Sequence, residues 1–268
     1  MAESGASPHW EKVWADGNGL QPGTLFDNAE ASPSLCWLLD SNRILQQSVN
    51  SESKDVAVLV PGGGRGYDVA AIAEKLSPAS HTAKKIVTLD LSQTCYAKAK
   101  EWLASHGASD ENAKKSPFYD KIHVARGDFF ADEFIVGAGL DPPASIGGVF
   151  DLVWDCTFFC ALHPEAREKW AKRYAELMKP GVGELWTLVF PIFKAQLEKP
   201  VNLRETPGSG PPYCLDYELV ESYLKPVGFE CVIKIEEPEG FPKHMGKRGN
   251  MAHLQDVGNM ACCWKKTS

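Results

Sequence analysis

The sequence predicts a doubly wound α/β sheet of seven strands, mostly parallel with an antiparallel edge, and with helices on both faces. Three observations carry that expectation. Short apolar runs without polar alternation, such as "DVAVLV" (55–60) and "GELWTLVF" (183–190), read as strands covered on both faces. Helical stretches of crossover length alternate with these runs, the pattern of a parallel sheet. The last two runs follow each other closely, which suggests an antiparallel edge.

In chain order, Trp10 and Trp14 stand four apart and precede the turn-rich "DGNGLQPGT" and a helix over "SLCWLLD" (34–40). The strand "DVAVLV" ends at a proline, and four of the next five residues are glycine, in "PGGGRG". The helix "DVAAIAEKL" follows. "KIVTLDLS" (85–92) is the second strand, with Ser92 placed to cap the helix "QTCYAKAKEWLASHG", which is expected to end at Gly107. "KIHVARGDFF" (121–130) and "GVFDLVWDCTFF" (148–159) are the third and fourth strands. The helix "PEAREKWAKRYAELMK" stops at "PGVG", before the fifth strand. A helix opening at Asp216 and the strands "ECVIKIEE" and "NMACCWKK" complete the order. Segments 107–120, 131–148, 191–214 and 236–256, rich in Pro, Gly and charge, read as surface loops.

Composition narrows the partners. With 268 residues, 44% hydrophobic and 24% charged, the chain can bury a large core. A net charge of −7 argues against nucleic acid or an anionic membrane as the main partner. No apolar run reaches the roughly 18 residues of a span, and "MAESGASPHWEKVW" lacks a signal-peptide pattern. Eight scattered cysteines form no C-x-x-C, and seven histidines no H-E-x-x-H. The expectation is a reduced cytoplasmic protein without a metal.

The glycine turn places backbone amides and a helix N-terminus beside a ligand. It is no Walker loop, because no G-K-[ST] follows. The dinucleotide fingerprint is broken at Val69, where glycine or alanine is required. The second strand ends in Asp90, 26 residues after Gly64, where a carboxylate can accept from ribose hydroxyls. The third ends in "GDFF", where Asp128 can accept from an adenine amino group and Phe129 can wall the base. Three successive strand ends describe adenosine and leave open what is attached to it.

"HWEKVW", "VLVPGGGRGYDVAAIA", "TLDLS", "GDFF", "FDLVWDCTFFCALHPEAREKWAKRYAELMKPGVGELWTLVFPI" and "GPPYCLDYELVESYLKPVGFE" resemble, in order and spacing, a class I S-adenosylmethionine-dependent methyltransferase. More narrowly, they resemble the plant and fungal halide/thiol methyltransferases of the thiopurine methyltransferase superfamily. The resemblance implies a Rossmann-like single domain over 1–268, with a helical lid over 1–50 and a substrate loop over 191–214. It implies S-adenosyl-L-methionine as cofactor, held by Trp10 and Trp14, Gly62 and Gly64, Asp90 and Leu91, Asp128 and Phe129, and Asp155. Asp155 and Tyr213 are the implied catalytic residues. Phe158, Phe159 and Tyr213 are the implied walls of a dry acceptor pocket. Two positions depart from the family: Gly63 replaces the cysteine of P-G-C-G, and Leu20 falls where the plant branch has a third tryptophan.

The resemblance also implies the chemistry. A soft nucleophile, whether a halide, bisulfide or small thiol, needs alignment with the methyl group more than it needs a base. The alternatives are a larger or heterocyclic thiol as acceptor, or a non-catalytic scaffold that only binds the cofactor. A monomer or weak dimer is expected. Read from the residues alone, Trp10 and Trp14 are equally a staple onto the core. Asp90 and Asp128 read as turn formers, and Asp155 as a cap on the turn after it. Cys156 and Cys160 read as apolar fillers, His163 as structural, Arg65 as an exposed turn arginine, and "HMGKRG" (244–249) as a solvated loop.

Overall fold

The computed structural model describes residues 6–16, 20–45, 55–76, 82–193, 197–199, 211–236, 241–242 and 257–267. Its seven strands are β1 (Asp55–Pro61), β2 (Thr82–Asp90), β3 (Ile122–Arg126), β4 (Leu152–Cys156), β5 (Glu184–Ile192), β6 (Phe229–Glu236) and β7 (Gly258–Lys266). They form one sheet in the order β3-β2-β1-β4-β5-β7-β6. The first five are parallel, and β7 runs antiparallel between β5 and β6. The chain steps outward from β1 to β3 and then returns to β4 on the other side of β1. The crevice at the carboxyl ends of β1 and β4 is therefore the switch point at which such sheets bind ligands.

Nine helices carry the crossovers and edges among the described residues: α1 (Ala6–Ala15), α2 (Pro33–Asp40), α3 (Tyr67–Lys75), α4 (Gln93–Ser109), α5 (Glu111–Lys115), α6 (Glu133–Gly137), α7 (Pro143–Ile146), α8 (Arg167–Leu177) and α9 (Tyr217–Leu224). Alternate residues of each strand point to opposite faces, so both faces need cover. Ala57, Leu59, Val87 and Val153 pack with Trp170, Tyr174 and Leu177 of α8 and Leu219 and Val220 of α9. On the other face Val56, Val58, Val60 and Trp154 pack with Leu35 and Leu38 of α2, Val69 and Ile72 of α3 and Leu103 of α4. This double burial is why the strands read as unbroken apolar runs. Each fully buried aliphatic side chain contributes about 1.5–3 kcal/mol.

The expected caps form. Ser92 Oγ accepts from the Cys95 amide at 3.0 Å, and Asp216 Oδ1 from the Leu219 amide at 2.9 Å. His163 Nδ1 accepts from the Glu165 amide at 3.4 Å and so caps the short 3₁₀ turn Pro164–Ala166 that precedes α8.

Several boundaries differ from expectation. Strands three and four are shorter than their apolar runs, because "GDFF" and "TFF" turn away to form loops at the switch point. Two expected loops contain helix. Asp110 caps α5 within 107–120, and Phe134 and Ile135 anchor α6 within 131–148. Residues 194–196, 200–210, 237–240 and 243–256, with "HMGKRG" among them, lie outside the described residues, as do 1–5, 17–19 and 46–50 of the expected lid.

The expected stop at Gly107 is a correction. The helix α4 continues to Ser109, and Gly107 is not in the left-handed region. It is glycine because a Cβ there would lie 2.7 Å from Cε1 of Tyr119, whose hydroxyl donates to the Leu103 carbonyl at 2.9 Å. Gly→Ala inside a helix ordinarily gains about 1 kcal/mol. Here overpacking of about 1–3 kcal/mol outweighs the gain, and Gly107→Ala is expected to lower Tm. A raised Tm in a thermal melt would show that the ring moves aside freely.

Candidate active site

Three strand ends build the site. After β1 the chain turns through Gly62, Gly63 and Gly64, the first and last at φ +60° and +56°. The turn lies tight against its floor. A Cβ at Gly63 would sit 2.2 Å from Thr88 Oγ1 of β2, and one at Gly62 would sit 2.8 Å from the Phe158 ring. The family's cysteine at position 63 is thus incompatible with the Thr88 side chain as it stands here.

Asp90, at the end of β2, is half-buried. Its carboxylate accepts from the Ser92 amide at 2.9 Å, and the Leu91 and Gly64 amides add further hydrogen bonds. Burial pushes the carboxyl above its ordinary range, against those bonds. Leu91 is half-buried beside it. The Gly127 amide donates to the Asp90 carbonyl at 3.0 Å and so ties the end of β2 to the end of β3.

The N-terminal segment docks on this edge. Glu11 of α1 accepts from the Ser92 hydroxyl at 2.8 Å, the Thr94 amide at 3.2 Å and the Thr94 hydroxyl, which sets a carboxylate at the N-terminus of α4. The Thr94 hydroxyl is the main cause holding the Glu11 carboxyl below its ordinary range. Trp14 is buried, and its ring would touch a Cβ on Gly64 at 3.8 Å. With Leu20 and Cys95 it forms a small separate cluster, so Leu20 fills space beside Trp14. Trp10 is half-buried and packs edge-on against Phe26 at 6.0 Å.

Arg65 is not an exposed turn arginine. Its Nε donates to Asp27 Oδ2 at 2.5 Å and its Nη2 to the Leu20 carbonyl at 2.5 Å, while its guanidinium lies 5.7 Å from the Trp14 ring. Asp27 also accepts from the Tyr67 hydroxyl at 3.1 Å and the Ala29 amide at 2.8 Å. The ion pair is covered because the segment after α1 folds back across the glycine turn.

After β3, Asp128 Oδ1 accepts from the Phe130 amide at 2.9 Å and closes a turn. Phe129 points into the core, with its ring 5.0 Å from Phe158 and 5.2 Å from Tyr174. The ring presented to the crevice beside Gly62 is that of Phe158, which is half-buried.

After β4 the chain turns at Thr157, a β-branched residue at φ +58°. Such a conformation costs about 1–3 kcal/mol and persists only where its surroundings impose it. Asp155 imposes it. The buried carboxylate accepts from the Phe159 amide at 3.0 Å, from Trp170 Nε1 at 2.9 Å and from the Tyr174 hydroxyl at 2.7 Å. Burial pushes its carboxyl up against the bonds from Tyr174 and Trp170. Cys156 and Cys160 are buried, and desolvation pushes both thiols up, as suits fillers.

Helix α8 organises these loops. Arg173 Nε donates to the Phe129 carbonyl at 3.0 Å, and its other nitrogens reach the Ala131 carbonyl, Asp132 and Glu176. Arg167, two turns earlier, lies buried with its guanidinium 5.2 Å from the Phe159 ring and 5.6 Å from the Tyr213 ring. The Tyr213 amide donates to the Cys160 carbonyl at 2.7 Å, which holds the segment after β5 against the turn after β4.

The structure therefore gathers Trp14, Gly64, Asp90 and Leu91 on one side, and Gly62 and Phe158 on the other. The expected pocket residue Phe159 is buried, with its ring stacked on Trp170 at 4.0 Å, and Tyr213 joins the same turn through the Cys160 carbonyl. Glu11, Thr157, Arg167 and Arg173 escaped the sequence reading, and Arg65 was read as exposed where it is buried. For Arg167 a signal existed: positions 167, 170, 171, 174 and 177 share one face of a 3.6-residue helix, and that face is apolar apart from Arg167. Among the described residues no three His, Cys, Asp or Glu side chains converge to hold a metal.

The sheet order, the glycine turn after β1 and the acid ending β2 define the fold of S-adenosylmethionine-dependent methyltransferases. The glycopeptide N-methyltransferase MtfA complexed with S-adenosyl-L-methionine matches with a TM-score of 0.54, over 92% of this chain and 99% of that one, at 15% identity. The chain belongs to the thiopurine S-methyltransferase family, whose model matches residues 6–239, and it is an S-adenosylmethionine-dependent methyltransferase. Thiocyanate methyltransferase 1 of Arabidopsis thaliana is 32% identical over 238 residues, 89% of this chain and 80% of that protein. Probable thiol methyltransferase 2 of the same plant is 32% identical over 268 residues, 100% of this chain and 88% of that protein.

Proposed function

We propose that the enzyme methylates a small soft nucleophile: a halide, bisulfide or thiocyanate-like anion, or a small thiol. The observation that carries this reading is the 32% identity, over most of the chain, to proteins named for thiocyanate and thiol methylation. The residues present fit the cofactor. A half-buried carboxylate stands at the end of β2 for ribose hydroxyls, and the Trp14 ring lies against the bare backbone of Gly64.

S-adenosylmethionine, when bound, supplies a methyl group made electrophilic by its sulfonium sulfur. Asp90 and Leu91 hold the ribose, Asp128 and the Phe129 backbone the adenine, and Gly62, Gly64, Trp10 and Trp14 the methionine end. Phe158, Phe159 and Tyr213 exclude water from the acceptor. Asp155 acts as a positioning residue, because its oxygens are already engaged by three donors on α8 and the β4 turn. A soft anion needs no proton removed, which suits a strand end where His163 caps a turn and both thiols stay protonated. A small-molecule acceptor, cytoplasmic residence and a monomeric or weakly dimeric state accompany this reading.

Incubation with S-adenosylmethionine and a panel of iodide, thiocyanate, bisulfide and thiophenol tests it, with S-adenosylhomocysteine release as the readout. Turnover of the anions is expected. Thiophenol alone as acceptor would favour the larger-thiol reading, and turnover of none, even in a single-turnover experiment, would leave a scaffold.

Two further results are expected here. Ribose hydroxyls donate to the ionised form of Asp90, whose carboxyl is raised, so binding must expel a proton from it at low pH. The affinity for S-adenosylhomocysteine should therefore fall on acidification, by at most about tenfold per pH unit, from a pH above the ordinary carboxylate range. Calorimetry across pH checks this, and a profile identical in Asp90→Asn would assign the effect elsewhere. Tyr213→Phe should lower kcat/KM for the acceptor about tenfold with cofactor affinity unchanged. Full activity would leave Tyr213 as a plug against the sheet.

A further inference from the structure

We propose that Arg167 is the counter-ion of the methyl acceptor, so that the acceptor is bound as an anion against the Phe159–Tyr213 wall. This rests on the methyltransferase reading above and names the acceptor's charge state.

Arg167 is 6% exposed, and its Nε is buried without a hydrogen-bond partner. Among the described residues no carboxylate pairs with it. Arg173, on the same helix and equally buried, is the internal contrast. Two carbonyls, Asp132 and Glu176 engage all three of its nitrogens. One arginine of α8 thus has a purely structural set of partners, and the other has two aromatic faces.

Burying a guanidinium without a counter-charge is strongly unfavourable, because the lost hydration is not replaced. Ring faces at 5.2 and 5.6 Å return only part of that cost. The groups that favour its charge are weak acids: Tyr223, Cys160, Tyr213 and Cys214. Burial opposes the charge, yet an arginine stays protonated at any working pH. The remaining deficit is what a bound anion would offset.

The neighbours say where that anion sits. Phe159 and Tyr213 flank the guanidinium, and the turn bearing Phe159 also carries Phe158, which presses on Gly62 of the cofactor turn. A small monoanion beside Arg167 is therefore within this aromatic wall. A neutral thiol would enter it only by losing its proton, so Arg167 should favour the thiolate at a pH below the thiol's ordinary pKa.

Titration of the S-adenosylhomocysteine-loaded enzyme with thiocyanate tests the binding directly, by calorimetry, on wild type, Arg167→Met and Arg167→Lys. Saturable binding to wild type is expected, weakened about 10- to 100-fold in Arg167→Met and less in Arg167→Lys, with S-adenosylhomocysteine affinity unchanged throughout. For a thiol acceptor, the pH–rate profile of Arg167→Met should shift to higher pH, while that for iodide should not shift. The Tm of Arg167→Met should be equal to or above wild type, because an uncompensated charge has been removed. Equal thiocyanate affinity in wild type and Arg167→Met, or no saturable binding in either, would overturn the proposal. So would a lower Tm together with weakened cofactor binding, which marks a structural role. Turnover of soft anions unchanged in Arg167→Met would refute the role of Arg167 and leave the methyltransferase reading standing. Wild type that binds thiocyanate but turns over no soft nucleophile would remove that reading and leave the anion site.

Discussion

Asp155→Ala is expected to lose about 3–5 kcal/mol of folding stability, the range for removing one partner from a buried charged network. The change orphans three donors at once. Trp170 Nε1, the Tyr174 hydroxyl and the Phe159 amide would remain buried where water does not reach them. A hydrogen bond to a charged group is worth about 1.5–3 kcal/mol, and the three are coupled through one carboxylate, so they do not simply add. The loss has a functional side. Asp155 holds the turn whose Thr157 sits at φ +58°, and that turn aims Phe158 at Gly62 and Phe159 at Arg167. Methyl transfer should therefore fall even where the variant is kept folded by bound S-adenosylhomocysteine. Asp155→Asn keeps the volume and one acceptor oxygen but turns an amide donor toward other donors, and should lose about half as much. Denaturant titration measures both. An Asp155→Ala protein of wild-type stability with abolished turnover would instead place Asp155 at the reacting atoms.

Arg65→Ala should be comparably severe, about 3–5 kcal/mol, because it leaves the Asp27 carboxylate buried and half satisfied. The side chains of the pair are 9% and 1% exposed, so solvent screening gives little relief. The consequence is directional. Arg65 joins the glycine turn to residues 20 and 27, and the same segment bears on Trp14 over Gly64. Losing the pair should release that cover and weaken S-adenosylhomocysteine binding at least about tenfold. The double variant Arg65→Met/Asp27→Leu removes both charges and should recover much of the stability while leaving cofactor affinity impaired. If Arg65→Ala alone bound S-adenosylhomocysteine as wild type does, the segment would be a passive strap and no part of the lid.

What could be read before folding was whatever depends on neighbours in the chain. Unbroken apolar runs announced strands covered on both faces, and Ser92 and Asp216 announced helix starts, because a cap bonds an amide three residues on. Asp90 and Asp128 could be placed at strand ends, and the glycines at the turn after β1, since a switch-point crevice follows from the alternation of strand and helix. Gly107 was misread for the same reason: glycine near a helix end usually stops it, and the Tyr119 ring that demands glycine there comes from another element. Phe129 and Phe158 were both legible as aromatic, but not which of them faces the core.

The charged residues divide in the same way. Composition and position make an arginine in a turn or at a helix start look solvated. Only the tertiary structure brings Asp27 to Arg65, 38 residues away in the chain, and Glu11 to Ser92, 81 residues away. Only it covers Arg167 without giving it an acid among the described residues. The sequence by itself determined the sheet, its caps and the three strand ends at the switch point, because local propensity and periodicity act over a few residues. The tertiary structure decided which charges are buried, which are paired and which turn is strained, because burial and pairing depend on segments that meet only when the chain folds.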